Sequence, residues 1–192
     1  MNVLEMIKNR RSVRRFKNIP IDNEILLSLI EHARLSVSGM NKQPIHYAVI
    51  AGKKRDEIFS CFKFASYIKD FKIAPDERPQ AFIVLYAKDA SDFSAAFEAG
   101  AVTSTMLLAA MEYGVSGCPL GISDKEKLKS LIPLSSQYAP ITAIALGYAL
   151  HGGKAVSYDG DFKYKLDENG NFLVPKKETN ELICYSDTIL EQ

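Results

Sequence analysis

The stretch from Ser91 to Glu112 constrains this chain most. It carries Ala95, Ala99, Val102, Met106, Leu107, Ala110 and Met111 among other apolar residues and offers no broad polar face. A helix that is apolar on every side has to be buried, so this segment predicts a central helix enclosed by other elements, with Ser91 as its N-cap. Its most apolar part, Ala101 to Met111, is shorter than a bilayer span and is bounded by Glu98 and Glu112, which argues against a membrane helix.

The surrounding elements follow from periodicity and punctuation. Asn2 to Asn9 reads as a short helix. Asp22 is a candidate N-cap for a helix in which Ile25, Leu26, Leu29, Ile30 and Ala33 recur at helical spacing. Tyr47–Ala51 fits a buried strand, Lys53 to Ile68 reads as helical, and Ala81–Tyr86 is the clearest strand. Gly114 to Gly121 reads as a glycine-rich connection. Ser123 and Glu126 form a capping-box pattern that opens a helix to Leu131, and Ile141–Tyr148 is a third strand. Strands alternating with helices place the chain among layered α/β or α+β sandwiches. Composition shifts after about residue 150, where Asp167-Glu168-Asn169-Gly170 predicts a hairpin turn.

The 192 residues suit one compact domain, with 152–192 as a divergent C-terminal hairpin or extension. A formal net charge of +1 argues against broad electrostatic binding of nucleic acid. Cys61, Cys118 and Cys184 are widely spaced and form no CxxC, so no metal site or disulfide framework is indicated and a reducing, cytoplasmic setting is expected. The N-terminus has no signal-peptide pattern.

Against this even charge, Arg10-Arg11-Ser12-Val13-Arg14-Arg15-Phe16 concentrates four arginines and a serine. Guanidinium forks and a hydroxyl suit a phosphate, and the alternative is a solvated basic loop. Ser38-Gly39-Met40-Asn41-Lys42-Gln43-Pro44 offers two amides that donate and accept together, apt for a heterocycle such as a flavin pyrimidine ring, or else a turn. In the Gly114–Gly121 segment, small residues let backbone N–H groups approach a planar ligand. His32, His46 and His151 have no metal-ligand spacing and read as structural or surface residues. No carboxylate pair or Ser-His-Asp set can be picked out, so no catalytic side chain is expected and a cofactor carries the chemistry.

Taken in order, these segments resemble the nitroreductase family. The family's Arg-Arg-Ser-x-Arg-x-Phe run is Arg10 to Phe16 here. Its Pro-Ser-x-x-Asn-x-Gln-Pro-Trp run is Val37 to Ile45. Its long apolar helix with a following flavin loop is Glu98 to Gly121, and its Leu-Gly-Tyr is Leu146-Gly147-Tyr148. The resemblance implies an α+β, three-layer α/β/α sandwich with a central, mostly antiparallel mixed sheet in an intertwined homodimer. It implies FMN at the subunit interface, with Arg10, Arg11, Ser12 and Arg14 on the phosphate, ribityl chain and pyrimidine edge. Ser38, Gly39, Asn41 and Gln43 would reach the flavin from the partner chain, and Pro119, Leu120 and Gly121 would face the ring. The implied reaction is ping-pong hydride transfer from NAD(P)H to nitroaromatic, quinone or enone substrates. Alternatives are an FMN-dependent dehydrogenase, reductive dehalogenase or flavin-fragmenting enzyme of the same fold, or a phosphate- or RNA-binding module.

The chain departs from the pattern at Val37, Ile45 and Leu120, and it has no Trp. A lysine closing the phosphate site is expected after Leu-Gly-Tyr. Lys154, Lys163 and Lys165 are the candidates, and the sequence leaves the choice among them open. Phe62, Phe64, Tyr67 and Phe71 are candidates for either a substrate pocket or core packing.

Overall fold

A computed structural model describes residues 2–186. The first helix, α1 (Val3–Asn9), is short, and its stability at the N-terminus comes from a capping box. The Asn2 side chain accepts from the Glu5 N–H, and the Glu5 carboxylate accepts from the Asn2 N–H. Helix α2 (Asn23–Ala33) starts after Asp22, which holds the N-cap position without a side-chain hydrogen bond. Leu26, Leu29 and Ala33 form its buried stripe.

Four strands make the main sheet: β1 (His46–Ala51), β2 (Ala81–Ala87), β3 (Ser116–Leu120) and β4 (Ala139–Gly147). Their order is β1-β2-β4-β3, with every pairing antiparallel. All of β2 is buried, because it is central and covered on both faces. Alternation along it sorts the two cores. Ile83 and Leu85 join Leu29, Val102, Met106 and Leu146 on one face. Phe82, Val84 and Tyr86 join Ile58, Cys61, Phe62 and Leu128 on the other. Helices α2 and α4 (Phe93–Glu112) cover the first face. Helices α3 (Lys53–Ile58) and α5 (Lys125–Leu131) contribute to the second. This is a three-layer α+β sandwich whose main sheet, among the described residues, is antiparallel throughout.

A second sheet carries β5 (Gly153–Ser157), β6 (Lys165–Leu166) and β7 (Phe172–Lys176) in the order β5-β7-β6. β5 and β7 run parallel, while β6 and β7 form the predicted hairpin. Gly170 supplies the turn's left-handed residue at φ 76°, and its N–H donates to the Asp167 carbonyl.

Several local expectations are corrected. β1 is an edge strand with Val49 exposed rather than a buried one. The helix from Lys53 stops at Ile58, continues as one 3-10 turn, and gives way to extended backbone at Phe62, which bridges to Ile122. Asp92, not Ser91, caps α4 by accepting from the Ser94 N–H. Asp124, not Ser123, caps α5 by accepting from the Lys127 N–H. Ser123 instead donates its hydroxyl to the Cys61 carbonyl at 2.9 Å. The full α4 has 20 residues, enough by length and composition to cross a bilayer, so its apolar core segment was too short a measure. What places α4 in this fold is its packing against α2 and the sheet through Ala95, Val102, Met106 and Ala110.

Candidate functional site

Beyond α1 the chain runs extended from Arg10 to Phe16 and is sewn to the main sheet. The Val13 N–H donates to the Gly117 carbonyl at 3.1 Å, and the Lys17 N–H donates to the Tyr148 carbonyl at 2.8 Å. The Leu150 N–H donates to the Arg15 carbonyl at 3.1 Å. Phe16 is wholly buried and bridges to Ala149. Gly147 is required there, since a Cβ would lie 2.7 Å from the Phe16 ring.

The arginines are therefore fixed at backbone level, yet their charges are not neutralised. Among the described residues no ion pair involves Arg10, Arg11, Arg14 or Arg15. Nε of Arg11 and Nε of Arg15 are buried without a hydrogen-bond partner among the described residues. Burial and the neighbouring Arg11 charge both lower the Arg10 pKa. A concentration of partly buried, like-charged groups is unfavourable until an anion joins it.

Arg10 and Arg11 line a cavity of about 220 Å³, closed by Leu107 and Met111 of α4, Ser116 and Gly117 of β3, and the 149–153 backbone. Gly153 packs against Arg11, where a Cβ would meet Arg11 Cβ at 3.1 Å. Ser12 and Arg14 lie elsewhere, beside Cys118. Burial pushes the Cys118 thiol pKa up, and Arg14, a hydrogen bond with Ser12, and Arg10 draw it back down. Cys118 is thus a buried, protonated thiol and not a poised nucleophile.

Arg14 is itself buried. Its guanidinium carbon sits 4.5 Å from the Tyr164 ring centre and 4.4 Å from that of Phe172, and one of its terminal nitrogens donates to the Ser12 carbonyl at 3.3 Å. Its backbone N–H donates to Nε2 of His151 at 2.9 Å. Nδ1–H of His151 in turn donates to the Gly152 carbonyl at 2.8 Å, which fixes a neutral tautomer. Burial, then the Arg15 and Arg14 charges, lower the His151 pKa, with Gly152 and Glu77 opposing. Arg15 leans over Phe71, 5.5 Å from the ring centre.

The segment 114–121, expected as a loop, is edge strand β3 after a left-handed turn at Gly114. Pro119 and Gly121 are exposed at its end. The Leu120 side chain is in the core, and its carbonyl accepts from the Thr142 hydroxyl at 2.8 Å. Pro in this strand is tolerated because an edge position spares it a ladder bond.

The Ser38–Gln43 loop is strained, though not at Gly39. The left-handed residues are Met40, Asn41 and Gln43, with φ of 53°, 54° and 47°. Side chains hold them. The Ser38 hydroxyl accepts from the Gln43 N–H at 2.8 Å, and the Gln43 amide donates to Asn41 Oδ1 at 3.0 Å. Asn41 and Gln43 are exposed.

This loop does not meet the arginines within the chain. Gly39 lies against Ser94, near the start of α4, whereas the arginine cavity touches Leu107 and Met111. Ser94 and Leu107 are separated by about 20 Å along the helix. Nor does Lys154 join Arg11. It follows Gly153 on β5, so it points to the opposite face, where its charge helps lower the Asp167 pKa behind hydrogen bonds from Asn171. Lys165 pairs with the same Leu173 from the other side, and Lys163 is exposed. Phe62 packs on Phe82 in the core and Phe64 stacks on Phe59, while Tyr67 and Phe71 contact Tyr164 and Phe172. His151, expected to be structural or surface, is buried and structural, and the contacts not singled out in the sequence are Tyr164 and Phe172. The last two flank the predicted hairpin turn, and period-2 alternation there would have marked them.

The sequence model described as "Nitroreductase family" matches residues 7–148. A curated relative from Methanothermobacter thermautotrophicus, provisionally named an NADH dehydrogenase/NAD(P)H nitroreductase, is 24% identical over 157 residues, covering 77% of this chain and 78% of its own. The solved structure of an FMN-dependent nitroreductase from Clostridium difficile superposes with a TM-score of 0.67 at 20% identity, covering 86% of this chain and 99% of that one. An FMN and NADPH-dependent nitroreductase from Sphigopyxis sp. strain HMH gives a TM-score of 0.70 at 17% identity, covering 97% of this chain and 99% of that one.

Proposed function

This chain belongs to the nitroreductase family, and from that premise we propose that it is an FMN-dependent oxidoreductase using NAD(P)H to reduce small electron-accepting substrates. The observation that carries the reading is the arginine cluster without any acidic partner among the described residues. Such a cluster fits a cofactor with a dianionic phosphate at one end and an electron-accepting ring at the other.

Arg10 and Arg11 would hold the phosphate. The cavity of about 220 Å³ suits that end alone, being smaller than ordinary ligand pockets of roughly 300–1,000 Å³. Ser12 and Arg14 would meet the pyrimidine edge, with backbone from Pro119 to Gly121 beside the ring. Bound FMN supplies hydride uptake from NAD(P)H and electron delivery to nitroaromatic, quinone or enone acceptors. The chain's own residues bind and orient. The positive charge of Arg14, kept away from water, favours the more negative redox state of whatever lies against it.

Ser38, Gly39, Asn41 and Gln43 would complete the site from a second copy, since they sit at the far end of α4 in their own protomer. A homodimer is supported by the apolar surface around α1 and α2. Val3, Leu4, Ile7 and Leu35 are each more than half exposed, and a groove of about 710 Å³ runs between Val3, Met6, Leu35 and Leu108. Lys154 would close a phosphate site only across subunits.

The test is anaerobic titration of the flavin-loaded protein with NADH and NADPH, followed at the flavin absorbance. Bleaching followed by recovery on adding a quinone supports the reading. Bound flavin that neither nucleotide bleaches would redirect it to another FMN reaction on this fold.

A further inference from the structure

The C-terminal hairpin holds an unusual position for a divergent extension. Tyr164, immediately before β6, and Phe172, opening β7, place their rings 4.5 and 4.4 Å from the Arg14 guanidinium carbon. Phe172 is wholly buried, and Arg14 is only 9% exposed. Around them Tyr67 meets Tyr164 at 5.0 Å and Phe71 meets Phe172 at 5.8 Å between ring centres. His151 lies 4.9 Å from Phe172 while its Nε2 accepts the Arg14 N–H. The Tyr164 and Phe172 ring centres are themselves 5.5 Å apart, so the two rings form an aromatic corner against one side of the guanidinium, whose hydrogen bond among the described residues goes to the Ser12 carbonyl. No carboxylate among the described residues pairs with it.

Adjoining aromatic rings attract a guanidinium by its charge while consuming none of its N–H donors. A carboxylate in the same place would neutralise the charge and occupy those donors. Aromatic residues keep Arg14 cationic, oriented and rich in free donors next to Ser12 and Cys118.

We propose that Tyr164 is a positioning residue for Arg14, with Phe172 beside it, and that through this aromatic clamp the C-terminal hairpin sets both the affinity and the reduction potential of the bound flavin. The proposal rests on the FMN reading above. It gives residues 152–176 a role in tuning the site that the main sheet alone does not provide.

The experiment compares FMN affinity and the midpoint potential of bound FMN in the wild type, Tyr164→Leu and Tyr164→Phe. In Tyr164→Leu the guanidinium loses one ring, so affinity falls about tenfold and the potential becomes more negative. Tyr164→Phe keeps the ring and restores both. A residue that merely stabilises the fold would lower the melting temperature and leave the potential of bound flavin unchanged. Phe172→Leu tests the second ring, provided circular dichroism shows a native fold. Unchanged affinity and potential in Tyr164→Leu, or loss of both in Tyr164→Phe, overturns the clamp while leaving the FMN reading intact. A wild-type protein that binds no FMN overturns both.

Discussion

The backbone N–H of Arg14 donates to Nε2 of His151 across 2.9 Å, and this bond ties the arginine segment to the turn that follows β4. It requires the imidazole to be neutral, since a protonated ring has no acceptor at Nε2.

That requirement gives a pH dependence. Burial lowers the folded-state His151 pKa below its ordinary 6.5, with the Arg15 and Arg14 charges acting in the same direction. Between the ordinary value and the lower folded one, the unfolded chain binds the extra proton and the folded chain does not. Stability is therefore fully present above about pH 6.5 and falls as pH drops toward the folded pKa. Urea titrations from pH 8 to pH 5 should show this slope, and His151→Leu should flatten it while costing about 1–3 kcal/mol for the orphaned Arg14 N–H. An equal slope in the variant would assign it to other groups.

The unneutralised arginines predict anion stabilisation. Inorganic phosphate should raise the melting temperature of flavin-free protein in a saturable way, and chloride at equal ionic strength should not. Arg11→Ala should abolish the phosphate effect. If chloride matches phosphate, the cluster acts only as a diffuse basic surface.

Glu98 is the one acidic side chain on the buried face of α4, and its Oε2 is buried without a partner. Together with burial, its charge pushes the Tyr47 phenol up to about 12. Spectrophotometric titration of Glu98→Gln should move the Tyr47 transition downward. A Tyr47 value unaltered by the substitution would leave burial as its sole cause.

At Gly147 an added Cβ would stand 2.7–2.8 Å from three Phe16 side-chain atoms, and Phe16 has no room to yield. Gly147→Ala should destabilise the protein by about 1–3 kcal/mol, read by urea denaturation. Gly121→Ala, which meets nothing within 4 Å, serves as the neutral control.

How much of this was legible in the sequence depends on what each residue's partner was. Segments that bury a face against their neighbours announced themselves by period: α2 by its Leu26–Leu29–Ala33 stripe, and β2 by its unbroken apolar run. β3 did not, because Ser116, Gly117 and Pro119 have low strand propensity and are strand only through pairing with β4. The helix expected to reach Ile68 ends at Ile58, and by Phe62 the backbone is extended, its ring stacked on Phe82 at 4.8 Å. In the site, residue types were readable and geometry was not. Arg14 looked equivalent to Arg10, yet only the structure shows it held against Tyr164 and Phe172, residues 150 and 158 positions away in sequence. Lys154 followed from chain order, but strand alternation turns it away from Arg11.

The central claim is that Arg10 and Arg11 hold an FMN phosphate. Titrating FMN into flavin-free protein, with flavin fluorescence as the readout, tests it most directly. The account predicts saturable binding by the wild type and at least about tenfold weaker binding for Arg10→Ala and Arg11→Ala, as expected for a lost charge-assisted hydrogen bond. Absence of binding by the wild type, or wild-type affinity in both variants, would contradict it.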